Sequence, residues 1–229
     1  MSDEPPDMSP SGVAVPRDRS RRRRKATDTE QVSGRTQIIE AAIASILEVG
    51  FYRSSTNEIA RRANVSWGAL QYHFGTREAL LLAIVKELDR RFIEDLQSAR
   101  VEGDTTEERI YSLYLLLAHH YDNPSWLVRL QILLNLQHDP DTSADVMAEI
   151  GETAKQAEAP LRQLLRQAIG AKPVKGGVDA LFHALRGFAL SRQLAQAVPI
   201  EGSPTPGPDA VKLFIRGLAA AEAPAPGKR

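Results

Sequence analysis

Between Ser54 and Leu80 the chain reads SSTNEIARRANVSWGALQYHFGTREAL, a run whose punctuation permits little besides two short helices, a tight turn and the start of a third. Ser55 is placed to cap a helix, and Glu58, three residues on, to return a bond to the cap's own N–H, a reciprocal capping box. Ile59, Ala60 and Ala63 give that helix one small apolar face. Asn64 tolerates the left-handed backbone that ends a helix sharply. Ser66 then caps a second helix whose stripe is Leu70 and Phe74, four residues apart and on one side. Gly75 closes it, Thr76 caps the next, and Leu81, Ile84, Val85, Leu88 and Phe92 continue at helical spacing. Two helices about a short turn, the second with a polar outer face, match the helix-turn-helix plan of DNA readers.

The helix before this run, RTQIIEAAIASILEVGF, carries Ile39, Ala42, Ile43 and Ile46 on one face and Gly50 at its end. Taken with IARRANVSWGALQYHF and GTREAL, the stretch from Arg35 to Leu80 resembles the N-terminal domain of the tetracycline-repressor (TetR) family of bacterial transcriptional regulators. The resemblance implies an all-α fold of about nine helices. A three-helix DNA-binding domain would be followed by a helical ligand-binding and dimerisation domain. It also implies a non-enzymatic, ligand-responsive repressor in the bacterial cytoplasm. Expected boundaries are a disordered basic arm over 1–33, the DNA-binding domain over 34–80, the effector-binding and dimerisation domain over 81–221 and a disordered tail over 222–229.

Base-reading and phosphate roles follow from position and chemistry. Trp67, Gly68 and Gln71 lead into the groove. Gly68 and Ala69 let the backbone approach base edges, and Gln71 offers the adenine N6/N7 pairing. Gln71 stands where the family commonly has tyrosine, so the target sequence does not carry over. Trp67 has two readings, base or phosphate contact and a ring partly buried beside Leu70 and Phe74. Thr56 and Asn57 open the first helix of the pair, where free N–H groups favour phosphate; Thr56 is the expected backbone anchor, Asn57 is in a position to reach a base, and the cap Ser66 is a further candidate DNA contact. Tyr72 and His73 resemble the family's Tyr-His pair and can donate to phosphate, with packing against the first helix as the alternative. Arg77, where the family usually has lysine, is a candidate phosphate contact, whereas Arg61 and Arg62 read as solvated charges.

Composition narrows the remaining classes. Acidic and basic residues number 29 each, so attraction to DNA has to come from local charge, such as the run of Arg17, Arg19, Arg21 to Arg24 and Lys25. That run reads either as an arm on the DNA backbone or as a solvated tail offset by nearby acids. No cysteine is present, which removes disulfides and thiolate chemistry. The apolar run YSLYLLLA is far short of the roughly 20 residues that span a bilayer. His119-His120 invites a metal reading, but adjacent helical residues point about 100° apart and no ligand set completes the site, so neither metal nor cofactor is expected. No phosphate loop, nucleophile elbow or metalloprotease helix occurs, which leaves an all-α enzyme or a helical interaction module as the rival reading.

Further helices are expected over 104–121 (capped by Asp104 with Glu107), 124–138, 141–168 with a kink or split near Gly151 or Pro160, 178–197 and 209–221. One helix-turn-helix reads half a site, so a palindromic double-stranded operator requires a homodimer. In the resembled family the last two helices form that interface. Here they offer Leu181, Leu185, Phe188, Val211, Phe214, Ile215 and Leu218. The middle helices would enclose a hydrophobic or aromatic small-molecule effector, with Tyr111, Tyr114, His119, Trp126, Leu130, Leu134, His138, Phe182 and Arg186 as candidate lining. Gln71→Ala is expected to cost roughly 1–3 kcal/mol at one base position only. Titration against operator and random DNA checks this, and equal losses on both would refute it.

Overall fold

A computed structural model describes residues 19–169, 176, 179–184, 186, 187, 190, 191 and 208–222, with side chains from residue 34 onward. Nine helices are delimited among them: α1 Arg19–Val49, α2 Thr56–Arg62, α3 Trp67–Phe74, α4 Arg77–Ser98, α5 Thr106–Asp122, α6 Pro124–His138, α7 Ala144–Lys155, α8 Glu158–Ile169 and α9 Pro208–Glu222. Further helical residues occur at 179–184, within the helix expected over 178–197. Among the described residues no helix is long and apolar enough to cross a membrane.

Local chemistry sets most boundaries. Asn64 adopts φ 51° and Gly75 φ 71°, the left-handed turns that end α2 and α3. Ser66 Oγ and Thr76 Oγ1 each accept an N–H three residues on, from Ala69 and Ala79, at 3.0 Å. Asn123 caps α6 ahead of Pro124 at its first position, where a missing N–H costs nothing.

Three expectations are corrected. Helix α1 begins at Arg19 rather than after residue 33. From Arg17 to Asn123 the sequence contains no proline, and residues 17–25 are mostly arginine with one lysine, residues that favour helix. Ser55 does cap α2, accepting from Glu58 N at 3.2 Å, but the Glu58 carboxylate turns to Arg61 and Arg62 instead of closing the box. The box forms one residue later than expected at α5, with Thr105 and Glu108. There the Glu108 carboxylate accepts from both Asp104 N and Thr105 N, behind Gly103 at φ 130°. The split expected within 141–168 does occur, at Gln156–Ala157, and it places Pro160 in the first turn of α8, where it removes no helical bond.

Two apolar cores organise the body. The first joins Ile38, Ile39, Ala42, Ile43 and Ile46 of α1 to Ile59 of α2 and to Leu70 and Phe74 of α3. It also takes in Leu80, Ile84, Val85 and Leu88 of α4. It does not stop at residue 80, because Val128, Ile132 and Leu136 of α6 and Ile150 of α7 belong to it. The second gathers Leu96, the inner face of α5, Leu164, Leu165 and Ala168 of α8, Leu181, and Val211 and Ile215 of α9. Leu181, Val211 and Ile215, candidates for a dimer face, are therefore core residues of the protomer, while Phe214 and Leu218 pack partly against the same core. Spacing marked them as apolar but could not say which partner they meet. Leu185 and Phe188 lie outside the described residues. Ile132→Ala, at a fully buried position shared by α6 and the first core, is expected to lower unfolding free energy by about 2–5 kcal/mol in urea denaturation.

Candidate nucleic-acid interface and ligand cavity

A hydroxyl relay fixes where α2 starts. Ser54 Oγ donates to Gly50 O at 2.9 Å and lies 2.9 Å from Ser45 Oγ, with both serines fully buried. The single proton of Ser54 is used on Gly50, so Ser45 is the donor to Ser54. Gln37 Nε2 donates to Ala63 O at 2.8 Å and secures the other end of α2 on α1. A Cβ on Gly34 would stand 3.1 Å from His73 Nε2, so α1 also passes close against α3.

Held this way, α3 turns Leu70 and Phe74 inward and presents Trp67, Gly68, Gln71 and Tyr72 outward. Trp67 is 56% exposed and Tyr72 72%, so Trp67 is partly covered while more than half of its surface stays open. Ser66 and Asn57 are exposed, whereas Thr56, Ala69 and His73 are half-buried. Gln71 Nε2 donates to Gly75 O, a bond it would have to leave in order to read a base. Tyr52, 87% exposed in the loop before α2, was not singled out in the sequence. A lone aromatic beside a Gly turn was its one signal.

The arginines are arranged differently from expectation. Arg77 is half-buried and its guanidinium donates to Ser54 O at 2.8 Å and Phe51 O at 3.4 Å, 5.1 Å from the Phe51 ring centroid. Burial pulls its pKa down. It braces the loop that leads into α2 instead of pointing outward. Arg62 bridges Glu48 of α1 and Glu58, each at 2.6 Å, and Arg61 pairs with Glu58 at 2.7 Å. Hydrogen bonds from Arg61 and Arg62 hold the Glu58 carboxyl down at about 2. These two arginines are paired rather than simply solvated, because helix spacing sets Glu58 three and four residues before them.

Deeper in the body, α4, α5, α6, α7 and residues 157, 182 and 186 surround a cavity of about 230 Å³. Its polar side is a two-point ion pair: Arg129 Nε on Asp89 Oδ1 at 2.5 Å and Nη2 on Oδ2 at 3.3 Å. His120 stacks on Phe92, centroids 3.7 Å apart, and Tyr121 meets Trp126 and Phe182 edge-on. Burial pushes His120 down to about 4, helped by the charges of Arg129, His119 and Arg186. Burial also raises the Tyr121 phenol, against the Arg186 hydrogen bond at 3.3 Å.

Of the expected lining residues, Trp126, Leu130, Phe182 and Arg186 meet in this cavity. Tyr111 and Tyr114 stack on each other against the second core, and His119, Leu134 and His138 are exposed. Helical spacing names a face but not its neighbour, so these five were misplaced. The sequence reading missed Asp89, Phe92, His120, Tyr121 and Arg129. One signal was available: Asp89 is a lone acid four residues after Val85 and three before Phe92, on the apolar stripe of α4.

Comparison with known proteins adds the following. Residues 38–84 match the family described as bacterial regulatory proteins, tetR family. The chain is 28% identical over 143 residues to the fatty acid metabolism regulator protein of Bacillus subtilis, covering 62% of this chain and 72% of that protein. It is 27% identical over 120 residues to the HTH-type transcriptional repressor AcnR of Corynebacterium efficiens, covering 52% and 59%. Among solved structures, a transcriptional regulator from Rhodococcus sp. Rha1 superposes with a TM-score of 0.59 at 18% identity, covering 82% of this chain and 94% of that one.

Because Arg77 braces two loop carbonyls, Arg77→Ala is expected to lower stability by roughly 1.5–3 kcal/mol. Thermal or urea unfolding measures this, and an unchanged midpoint would mean that the brace carries no load.

Proposed function

We propose that the chain, whose residues 38–84 match the tetR family of bacterial regulatory proteins, is a DNA-binding transcriptional regulator that acts in the cytoplasm as a homodimeric repressor, released from a palindromic operator by a small molecule. The observation that carries this reading is the two-sidedness of α6. Its Val128, Ile132 and Leu136 lie in the core that holds the DNA reader, while Trp126, Arg129, Leu130 and Leu133 line the cavity. A molecule that fits the cavity in one arrangement of α6 better than another changes how the reader is held, and its differential affinity sets the size of the response. That AcnR is named a repressor supports the same direction of control.

At the DNA, Trp67, Gly68 and Gln71 approach base edges and Thr56, Asn57, Ser66, Tyr72 and His73 serve the phosphates, with Ala69 behind them. Arg77 acts indirectly, by bracing the loop ahead of Thr56. The basic run continues into α1 from Arg19, so its charge is carried on the helix that the reader packs against. Dimer contact falls on the outer face of α9, where Ala210, Leu213, Gly217 and Ala220 recur at helical spacing and Leu213 is 72% exposed. Catalysis finds no support in relatives that are themselves regulators.

Titration of the full-length protein against the DNA flanking its own gene, at rising salt, tests this. Two chains per site and a marked preference over random DNA are expected, and the absence of preference would favour the interaction-module reading. Leu213→Glu is expected to give monomers in sedimentation and to weaken operator binding on the order of 100-fold, since linked half-sites bind as one unit. A variant that stays dimeric would move the interface elsewhere.

A further inference from the structure

The charges in the cavity do not balance. Three charged side chains line it among the described residues: Asp89, Arg129 and Arg186. Asp89 has both oxygens engaged by Arg129 Nε and Nη2, which leaves Nη1 of that guanidinium outside the pair. Arg186 is held by partners that carry no charge. Its Nε donates to Tyr121 Oη at 3.3 Å and its guanidinium carbon sits 4.0 Å from the Phe182 ring centroid. Asp179 and Glu158 line an outer hollow of about 370 Å³ that shares Arg186, in company with Lys155 and Arg162, and Arg162 is paired with Glu158. The inner cavity therefore carries one positive charge more than it carries negative.

Its walls are flat and apolar. The His120 and Phe92 rings lie 23° from parallel, Trp126 stands edge-on to Tyr121, and Ile93, Leu130 and Leu133 supply aliphatic surface. Arg129, with its side chain 22% exposed, carries a charge less screened by water than that of Arg186, which is exposed.

We propose that this cavity takes a small monoanion with a flat apolar body, of the aromatic carboxylate class, its anionic group seated between Arg129 and Arg186 and its rings between the aromatic walls. The proposal rests on reading the cavity as the effector site. A planar cation finds no unengaged carboxylate oxygen in the inner cavity, and a neutral molecule gains nothing from the excess charge.

Calorimetric titration of the full-length protein at neutral pH with three probes of one shape tests the class: 1-naphthoate, 1-naphthylmethanol and 1-naphthylmethylammonium. We expect 1-naphthoate to bind at least tenfold more tightly than either of the others. Arg186→Gln should remove most of that advantage and Arg186→Lys should restore part of it, with thermal unfolding confirming that both variants fold. Equal affinity for the three probes, a preference for the ammonium, or no binding of any of them overturns the proposal. Operator affinity is measured separately with 1-naphthoate present. Tight, selective binding that leaves DNA affinity unchanged supports the anion site and overturns the effector reading. Loss of DNA affinity on binding supports both.

Discussion

A carboxylate set into the buried face of a helix has to find a cation, because neither solvent nor the surrounding hydrocarbon can stabilise it. Asp89 is that carboxylate, 6% exposed near the middle of α4, and Arg129 of α6 answers it at two points. The pair stands at a seam. Leu88 and Val128, its chain neighbours, belong to the core beneath the DNA reader, whereas Phe92 packs against the core of α5, α8 and α9. Removing one partner of such a pair typically costs about 3–5 kcal/mol, more than most surface contacts in a protein of this size supply. The relative register of α4 and α6, and with it the meeting of the two cores, is fixed by this contact.

Around that seam the structure is continuous rather than divided into reader and body. Lys86 pairs with Glu149 of α7, Arg91 with Glu40 of α1, and Glu78 accepts from Ser143 N at 2.9 Å, so α4 is tied to its neighbours along most of its length. At its start Arg77 secures the loop that launches α2. Packed side chains and ion pairs of α4 and α6 thus join the walls of the cavity to the reader.

The parts of this chain that could be read from sequence are those whose conformation is decided by a few adjacent residues. Asn64, Ser66, Gly75 and Thr76 impose turns and caps through their own chemistry, and the reader's boundaries follow from them. The helix break near Pro160 is of the same kind. The cavity is not. Asp89 meets a partner 40 residues away, and Arg77 one 23 residues away, so nothing nearby in sequence reports either contact. Tyr111 and Tyr114 looked as suitable for the cavity as Trp126, because an apolar stripe on α5 has the same spacing whether it faces ligand or core. The cap of α5 was displaced by one residue because Gly103, at positive φ, lets the chain begin its helix from Thr105.

Neighbouring stripes of α6 answer to different demands. Val128, Ile132 and Leu136 are constrained by the packing of the DNA reader, Leu130 lines the cavity, and Leu133 touches both. A substitution at Leu130 is therefore expected to reshape the cavity while leaving Val128, Ile132 and Leu136 in place beneath the reader, whereas one at Leu133 alters both at once.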